Sequence, residues 1–368
     1  MLNIPLLDQL RRAGGEFVPW PALDARSPQP AADIAALADF GFGIERHPIH
    51  GVAYRGPSPR LCPDQIEWQL NTKVIGRQIA VWNRVASTND LAAQAATSRS
   101  NHGLAILAEE QTAGRGSRGR VWTAPPRSSI LLSVLLFPPP ELADPVWLNA
   151  LAAYSVAGVV WGWIAERWNL TLTNPDDRPT VTIKWPNDIR INGRKLAGIL
   201  VERGRGTVIG IGLNANIAPT EFPPELQRVA TSLAAELGGP VDRSALVRDL
   251  LGNLDVLFHC AGNLGLDALN GLYNWHSEHV GREVEVATES GIIAGRLGVL
   301  DLGRGLRVGP SLLEAQTIPI GGFSAITNRP NARFWTRDER TAWFGATDPG
   351  RSTWLAPPQA NLRPVLTL

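Results

Sequence analysis

Apolar positions recur along the chain with two different periods, and the change of period marks out its parts. Near the start, Leu6, Leu7 and Leu10 have helical spacing, and Gly14-Gly15 closes that helix. Pro21–Ala25 and Ala31–Phe40 read as two more short helices, the second with Ile34, Leu37 and Ala38 on one face. Ile44–Tyr54 then alternates like a small hairpin. Three helices and a hairpin predict a degenerate winged-helix-like unit over residues 1–60, with Pro57, Pro59 and Pro63 in a linker behind it.

From residue 72 the runs lengthen. Ile79–Val85, Leu104–Ala108 and Ile130–Phe137 read as strands, the last stopped by Pro138-Pro139-Pro140. Leu91–Thr97 is helical, with Ser87-Thr88-Asn89-Asp90 at its N-terminal junction. Trp147–Trp168 is a long helix. Its most apolar part, Leu148–Ile164, is short for a membrane span and holds Asn149 and Ser155, so it is expected to be buried behind a sheet. Asn174–Pro179 is a polar turn. Thr180–Ile191 alternates, Asn192-Gly193 is a hairpin signal, and Arg194–Glu202 and Thr207–Asn216 are the strands that follow. Ser244–Trp275 is mostly helical, with a break near Gly262 and Gly265. Hairpins with helices on one face predict an α+β fold over 72–275: a mixed, largely antiparallel sheet backed by helices. Residues 276–325 change texture to short β runs with frequent turns, as in a small β-barrel. The tail, 326–368, carries Trp335, Trp343, Phe344 and Trp354 but no predicted element.

Composition narrows the function classes. The 368 residues are 44% hydrophobic, which supports a sizeable core. Lys plus Arg number 35 and Asp plus Glu 34, so bulk charge does not favour a polyanion partner. Residues 1–60 hold six basic and six acidic side chains, and no Lys or Arg occurs from Ser27 to Glu45. A helix that reads a DNA groove needs cations and donors there, so DNA binding is not expected. Cys62 and Cys260 are too far apart in sequence to suggest a metal motif or a disulfide framework. The N-terminus lacks the order of a signal peptide, and a cytoplasmic protein is expected.

Three segments carry candidate chemistry. Glu109–Trp122 (EEQTAGRGSRGRVW) has glycines at 114, 116 and 119 and arginines at 115, 118 and 120 between two apolar runs. Glycine lets the backbone approach a ligand closely, and the guanidinium fork suits phosphate and carboxylate. A solvated basic turn has the same composition. At Ser87–Asp90 the hydroxyls suit a helix cap, and they also suit a ligand's polar end. Lys184 lies in KWPND between Ile183 and Trp185; a strand-edge charge and a contributor to a cationic site both fit it.

Taken together, STN, EEQTAGRGSRGRVW, KWPNDI, GRKLAGILVE and GIGLNAN resemble the biotin protein ligases, also called biotin–[acetyl-CoA-carboxylase] ligases, in the family's order. The resemblance covers about residues 72–325. It implies the class II synthetase-like catalytic fold with an SH3-like C-terminal barrel. It also implies ATP-dependent formation of biotinyl-5′-adenylate and transfer of biotin to a lysine of a biotin carboxyl carrier protein. By the same resemblance Lys184 and Arg115 are catalytic. Ser87, Thr88, Asn89, Gln111, Arg115, Gly116, Ser117 and Lys184 bind biotin; Gly114, Arg115, Arg118, Arg120, Lys184 and Asn214 bind ATP or the adenylate. Lys195 is a weaker candidate. Mg²⁺ is expected with the triphosphate; no carboxylate cage is visible, and Asn214 is the residue nearest that role. The family loop usually reads GRGR or GRGK, whereas this chain has Ser117 at the fourth position; either Arg118 substitutes or the adenylate is held less tightly. A lipoate or octanoyl ligase or transferase of related fold, and a biotin-responsive DNA-binding repressor, are the alternatives. Edge strands of the main sheet are available for a homodimer.

Overall fold

The computed structural model describes residues 1–168, 179–264, 266–310 and 314–329. The turn expected at Asn174–Pro179 lies, apart from Pro179, outside these residues, as does the tail beyond Arg329.

At the N-terminus, α1 (Ile4–Arg12), α2 (Trp20–Leu23) and α3 (Pro30–Phe40) precede the antiparallel pair β1 (Gly43–His47) and β2 (Gly51–Gly56). Leu6, Leu7, Leu10, Ile34 and Leu37 are buried as their spacing requires, in a core separate from the rest of the molecule. That core also takes in Cys62 and packs against Trp68, so it reaches past residue 60. Gly41, at φ 107°, ends α3 in the left-handed conformation that glycine adopts without strain.

The linker is not loose. α4 (Pro63–Glu67) follows it, and a buried ion pair between Arg243 and Glu109 (2.7 Å) anchors it. Glu109 Oε1 accepts the Leu61 N–H at 2.6 Å, and Arg243 donates to the Pro59 carbonyl at 2.6 Å.

Next come β3 (Ile79–Trp82), α5 (Thr88–Ala95), β4 (Ala105–Ala108), β5 (Ser129–Leu136), α6 (Pro145–Trp168), β6 (Val181–Lys184), β7 (Asp188–Ile191), β8 (Arg194–Arg203) and β9 (Thr207–Asn214). Then follow α7 (Leu233–Leu237), α8 (Arg243–Leu264) and α9 (Leu266–His276). The seven strands form one sheet, ordered β3-β4-β5-β9-β8-β7-β6, parallel only at β3–β4. The expected mixed, largely antiparallel sheet is thus present.

One expectation needs correction, and a second holds for burial but not for length. KWPND does not lie within one strand: Trp185-Pro186-Asn187 turns the chain, so Lys184 ends β6 and Asp188 begins β7. Helix α6 spans 24 residues, and by length and composition it could cross a membrane. Its apolar window is nonetheless 61% buried, packed against β8, α8 and α9.

Strand alternation gives the sheet two unlike faces. Ile130, Leu132 and Val134 of β5 and Ile209, Ile211 and Leu213 of β9 face the main core with α6 and α8. On the opposite face lie Leu131 and Ser133 of β5, Gly210 and Gly212 of β9, and Gly198 of β8. Helix α5 covers one end of that face, packing Ala92 and Ala96 on Leu135 and Val208. The other end is open.

β10 (Glu283–Thr288), β11 (Gly291–Asp301), β12 (Gly305–Gly309), β13 (Gln316–Ile318) and β14 (Phe323–Asn328) form a second antiparallel sheet, ordered β13-β12-β11-β10-β14. Its last strand runs three residues beyond the expected boundary at 325. Val284, Val286, Leu297, Leu306 and Val308 are buried in the same continuous core as the main sheet.

Candidate functional site

The open end of the second sheet face is a cleft of ≈ 450 Å³. Its floor is backbone. A Cβ on Gly210 would lie 2.4 Å from Asn89 Oδ1, and one on Gly212 would lie 2.5 Å from the Trp122 indole. Glycine at these two alternating positions lets a side chain lie directly on the strand. Trp122 also covers Gly198, and the Lys195 ammonium sits 5.6 Å from its ring centroid.

Ser87, Thr88, Asn89 and Gln111 line one end of the cleft. Ser87 is the residue before α5, but its hydroxyl makes no capping bond, so the cap explanation does not account for it. Gln111 Oε1 accepts from the Thr88 amide (2.7 Å) and hydroxyl (2.9 Å). Ser133 Oγ lies 2.7 Å from Thr88 Oγ1 and 2.5 Å from Asn89 Oδ1. Asn89 donates to Glu202 at 2.6 Å. This end is a closed hydrogen-bond network with fixed orientations.

The Gly/Arg loop forms the roof. Gly116 N–H donates to the Arg120 carbonyl (2.7 Å) and Trp122 N–H to the Gly114 carbonyl (3.0 Å), so residues 114–122 fold back on themselves. Arg118 (φ 60°) and Gly119 (φ 72°) make the tip. Arg115, Gly116, Ser117 and Arg120 line the cleft. Arg115 is bound to Asp90 at 2.7 Å and to Glu202 at 3.1 Å. The hydrogen bond it donates to Asp90, and then those to Glu202, hold its guanidinium even more firmly protonated than usual. Gly114 and Arg118 are not among the lining residues. A Cβ on Gly114 would come within 2.4 Å of the Trp122 carbonyl oxygen, so that glycine serves the loop's own packing. Arg118 donates instead to the Ser324 carbonyl in β14. The guanidinium brought to Ser117 is that of Arg120, 2.7 Å from its hydroxyl. Arg120, rather than Arg118, places a cation beside the position where one is missing from the loop.

At the other end, Asn214, Lys195 and Asp188 line the cleft. Asn214 donates its Nδ2 to the Thr231 carbonyl at 3.0 Å. Lys195 is ion-paired with Asp188 at 2.6 Å. Lys184 is not a lining residue, but the register puts it on the cleft's face: Lys184 opposes Asp188, Asp188 opposes Gly198, and Gly198 opposes Gly212. It stands in the same cross-strand row, at the rim. Burial, with Arg190 nearby, pushes its ammonium below the usual lysine value.

Residues 81–216 match the model of the biotin/lipoate A/B protein ligase family. The chain is 30% identical over 313 residues to the bifunctional ligase/repressor BirA of Bacillus subtilis, covering 82% of this chain and 92% of that protein. The chain belongs to the biotin protein ligase family. It is also 36% identical over 211 residues to the biotin–[acetyl-CoA-carboxylase] ligase of Mycobacterium tuberculosis, covering 53% of this chain and 71% of that one. The structure of the Aquifex aeolicus biotin protein ligase in complex with biotin and ATP aligns with a TM-score of 0.55 at 25% identity, over 69% of this chain and all (100%) of that one.

Sequence reasoning about this biotin protein ligase missed Asp90, Ser133, Glu202, Trp122 and the glycine floor. The spacing of Gly210 and Gly212 was the available signal, since positions two apart share one strand face. Gly212→Ala is expected to drive Trp122 off the strand, raising the KM for biotin at least about tenfold and costing about 1–3 kcal/mol of stability. Steady-state kinetics and denaturant melts check this. An unchanged KM would remove Trp122 and Gly212 from the site.

Proposed function

We propose that this chain is an ATP-dependent biotin protein ligase that forms biotinyl-5′-adenylate and transfers the biotinyl group to a lysine of a biotin carboxyl carrier protein domain. The observation that carries this reading is one glycine-floored cleft with the Thr88–Gln111–Asn89 network at one end, Arg115 above it and the Lys184 row at the other. A ureido head needs donors and acceptors in fixed positions. Gln111 Oε1 is already engaged by Thr88, which leaves Gln111 Nε2 and the Ser87 hydroxyl to meet it.

In the first step a carboxylate oxygen of biotin attacks the α-phosphorus of ATP, and the bond to the β-phosphate oxygen breaks, releasing pyrophosphate. Two anions must approach each other, so fixed cations lower the barrier. Arg115 is the main one: its ligand-free partners, Asp90 and Glu202, give way to the substrate carboxylate. Lys184 bridges that carboxylate and the α-phosphate, and Arg120, beside Ser117, offsets charge on the phosphates. In the second step the neutral acceptor amine attacks the acyl carbon, AMP leaves, and the amine loses a proton. Gly114 and Arg118 support the loop and do not touch the ligand. Asn214 contacts the adenylate, and Lys195 acts through Asp188.

Mg²⁺ fits only as an ion carried by the phosphates. Among the described residues, no cluster of three or more His, Cys, Asp or Glu could hold a metal. With Asn214 Nδ2 bound to Thr231, its Oδ1 is the protein oxygen on offer. The ion would supply charge neutralisation at the triphosphate.

We read residues 1–60 as a winged-helix-like unit and the C-terminal sheet as the SH3-like barrel, ending at Asn328. Relatives named ligase/repressor share most of the chain's length, so DNA binding is the second reading. The exposed face of α3 bears Ala31, Ala32, Ala36 and Asp39 and no cation. The expected gel-shift result is therefore no specific, salt-sensitive operator binding; a specific shift would overturn this. Labelled biotin, and not lipoate, is expected to reach a carrier domain in the presence of ATP. Lipoate transfer in its place would move the chain to the other branch of the family.

A further inference from the structure

Lys184 ends β6 between two carboxylates. On one side it opposes Asp188 of β7. On the other, the chain after α9 runs parallel to β6: Ile183 bridges Ser277, and Glu278 N–H donates to the Ile183 carbonyl at 2.9 Å. With Ile183 beside Ser277, Lys184 and Glu278 fall side by side on the same face. A lysine flanked in this way would ordinarily pair with one of its neighbours. It pairs with neither: the Lys184 ammonium makes no hydrogen bond or ion pair with a described residue. Each carboxylate is held by another cation, Asp188 by Lys195 at 2.6 Å and Glu278 by Arg190 at 3.5 Å. The second oxygen of Glu278, Oε2, is buried without a hydrogen-bond partner, so it could accept a cation if one came free.

We propose that Arg190 is a positioning residue which, by engaging Glu278 while Lys195 engages Asp188, keeps the Lys184 ammonium unpaired and available to the anionic substrate. This rests on the ligase reading of the cleft. Arg190 and Lys195 are both cationic neighbours of Lys184, and Glu278 and Asp188 are its acidic ones; Arg282 also attracts Glu278, so the balance of charge at that carboxylate is set by Arg190 and Arg282 together. Moving one cation away shifts that balance toward sequestration. Arg190 lies in β7, one strand in from the edge strand β6, paired with Thr182 and outside the cleft lining, so it acts on the ligand only through Glu278 and Lys184.

The test uses the full chain and four forms: wild type, Arg190→Met, Arg190→Lys, and Arg190→Met with Glu278→Gln. Two quantities are read: biotin-dependent pyrophosphate exchange, and the reactivity of the Lys184 amine toward reductive methylation, followed by peptide mass analysis. Arg190→Met is expected to lower the kcat of exchange at least about tenfold with little change in the KM for biotin, because the Thr88–Gln111 end is untouched. Lys184 methylation falls with it. Removing the Glu278 charge in the double variant restores both to within about threefold of wild type, and Arg190→Lys retains both. A structural role for Arg190 would not be rescued by Glu278→Gln. Full activity in Arg190→Met, or equal loss in the single and double variants, overturns the proposal. Methylation that follows the expected order in a wild type without exchange would uphold the arrangement around Lys184 and sink the ligase reading instead.

Discussion

Arg115→Ala is expected to lower biotin-dependent pyrophosphate exchange by about 10²–10³-fold, and Lys184→Ala by a similar factor, the scale for loss of one fixed donor aimed at developing charge. The two losses differ in origin. Without Arg115 the cleft keeps Asp90 and Glu202 but not the guanidinium that holds both, at 2.7 and 3.1 Å. Two unneutralised carboxylates would then face an incoming carboxylate, so biotin binding suffers as well as turnover. Arg115→Lys keeps the charge but loses the planar guanidinium whose Nη2 meets both carboxylates, and is expected to fall between wild type and alanine. Lys184→Ala removes a cation with no ion-pair partner among the described residues, so the loss falls mainly on kcat. Near-normal exchange in either alanine variant would contradict the site.

The second large effect is on stability. Arg243 is 1% exposed and Glu109 6%, and their ion pair also holds the Pro59 carbonyl, the Leu61 amide and, through Arg243, the Ser129 carbonyl at 3.0 Å. Arg243→Met leaves the Glu109 carboxylate buried without its cation. A loss of about 3–5 kcal/mol in denaturant unfolding is expected, the range for breaking a buried pair from one side. Changing Glu109 to leucine in the same chain is expected to recover part of it, because the stranded charge goes too. A loss below about 1 kcal/mol in the single variant would show that the pair is not what fixes the linker. Glu109 opens the Gly/Arg loop, so this junction joins the N-terminal unit to the base of the cleft's roof.

Much of this architecture is written in local pattern. The apolar run Ile130–Phe137 foretells a buried strand, and the helical spacing of Leu6, Leu7 and Leu10 foretells a buried stripe. Asn192-Gly193 marks its hairpin because type I′ turns need residues that accept positive φ, and both do here, at 49° and 78°. Part of the loop (Arg115, Gly116, Ser117 and Arg120), the Ser87–Asn89 junction and Asn214 line one cleft, whereas Gly114 and Arg118 do not. What pattern could not supply depends on register and on distant partners. Lys184 looks like a mid-strand residue until the KWPND turn is placed, and its row across the sheet depends on the pairing of four strands. Nothing local to Asp90 or Glu202 says that Arg115 will reach them. Arg118 and Arg120 are equivalent in composition. Only the fold sends one to Ser324 and the other to Ser117.

The most direct measurement is mass analysis of the products after incubating the chain with biotin, ATP and Mg²⁺, before and after a carrier domain is added. The account predicts biotinyl-5′-adenylate in the first sample, then its disappearance with a biotinylated lysine on the carrier and release of AMP. No adenylate, or adenylate formed equally well by the Arg115→Ala variant, would contradict it.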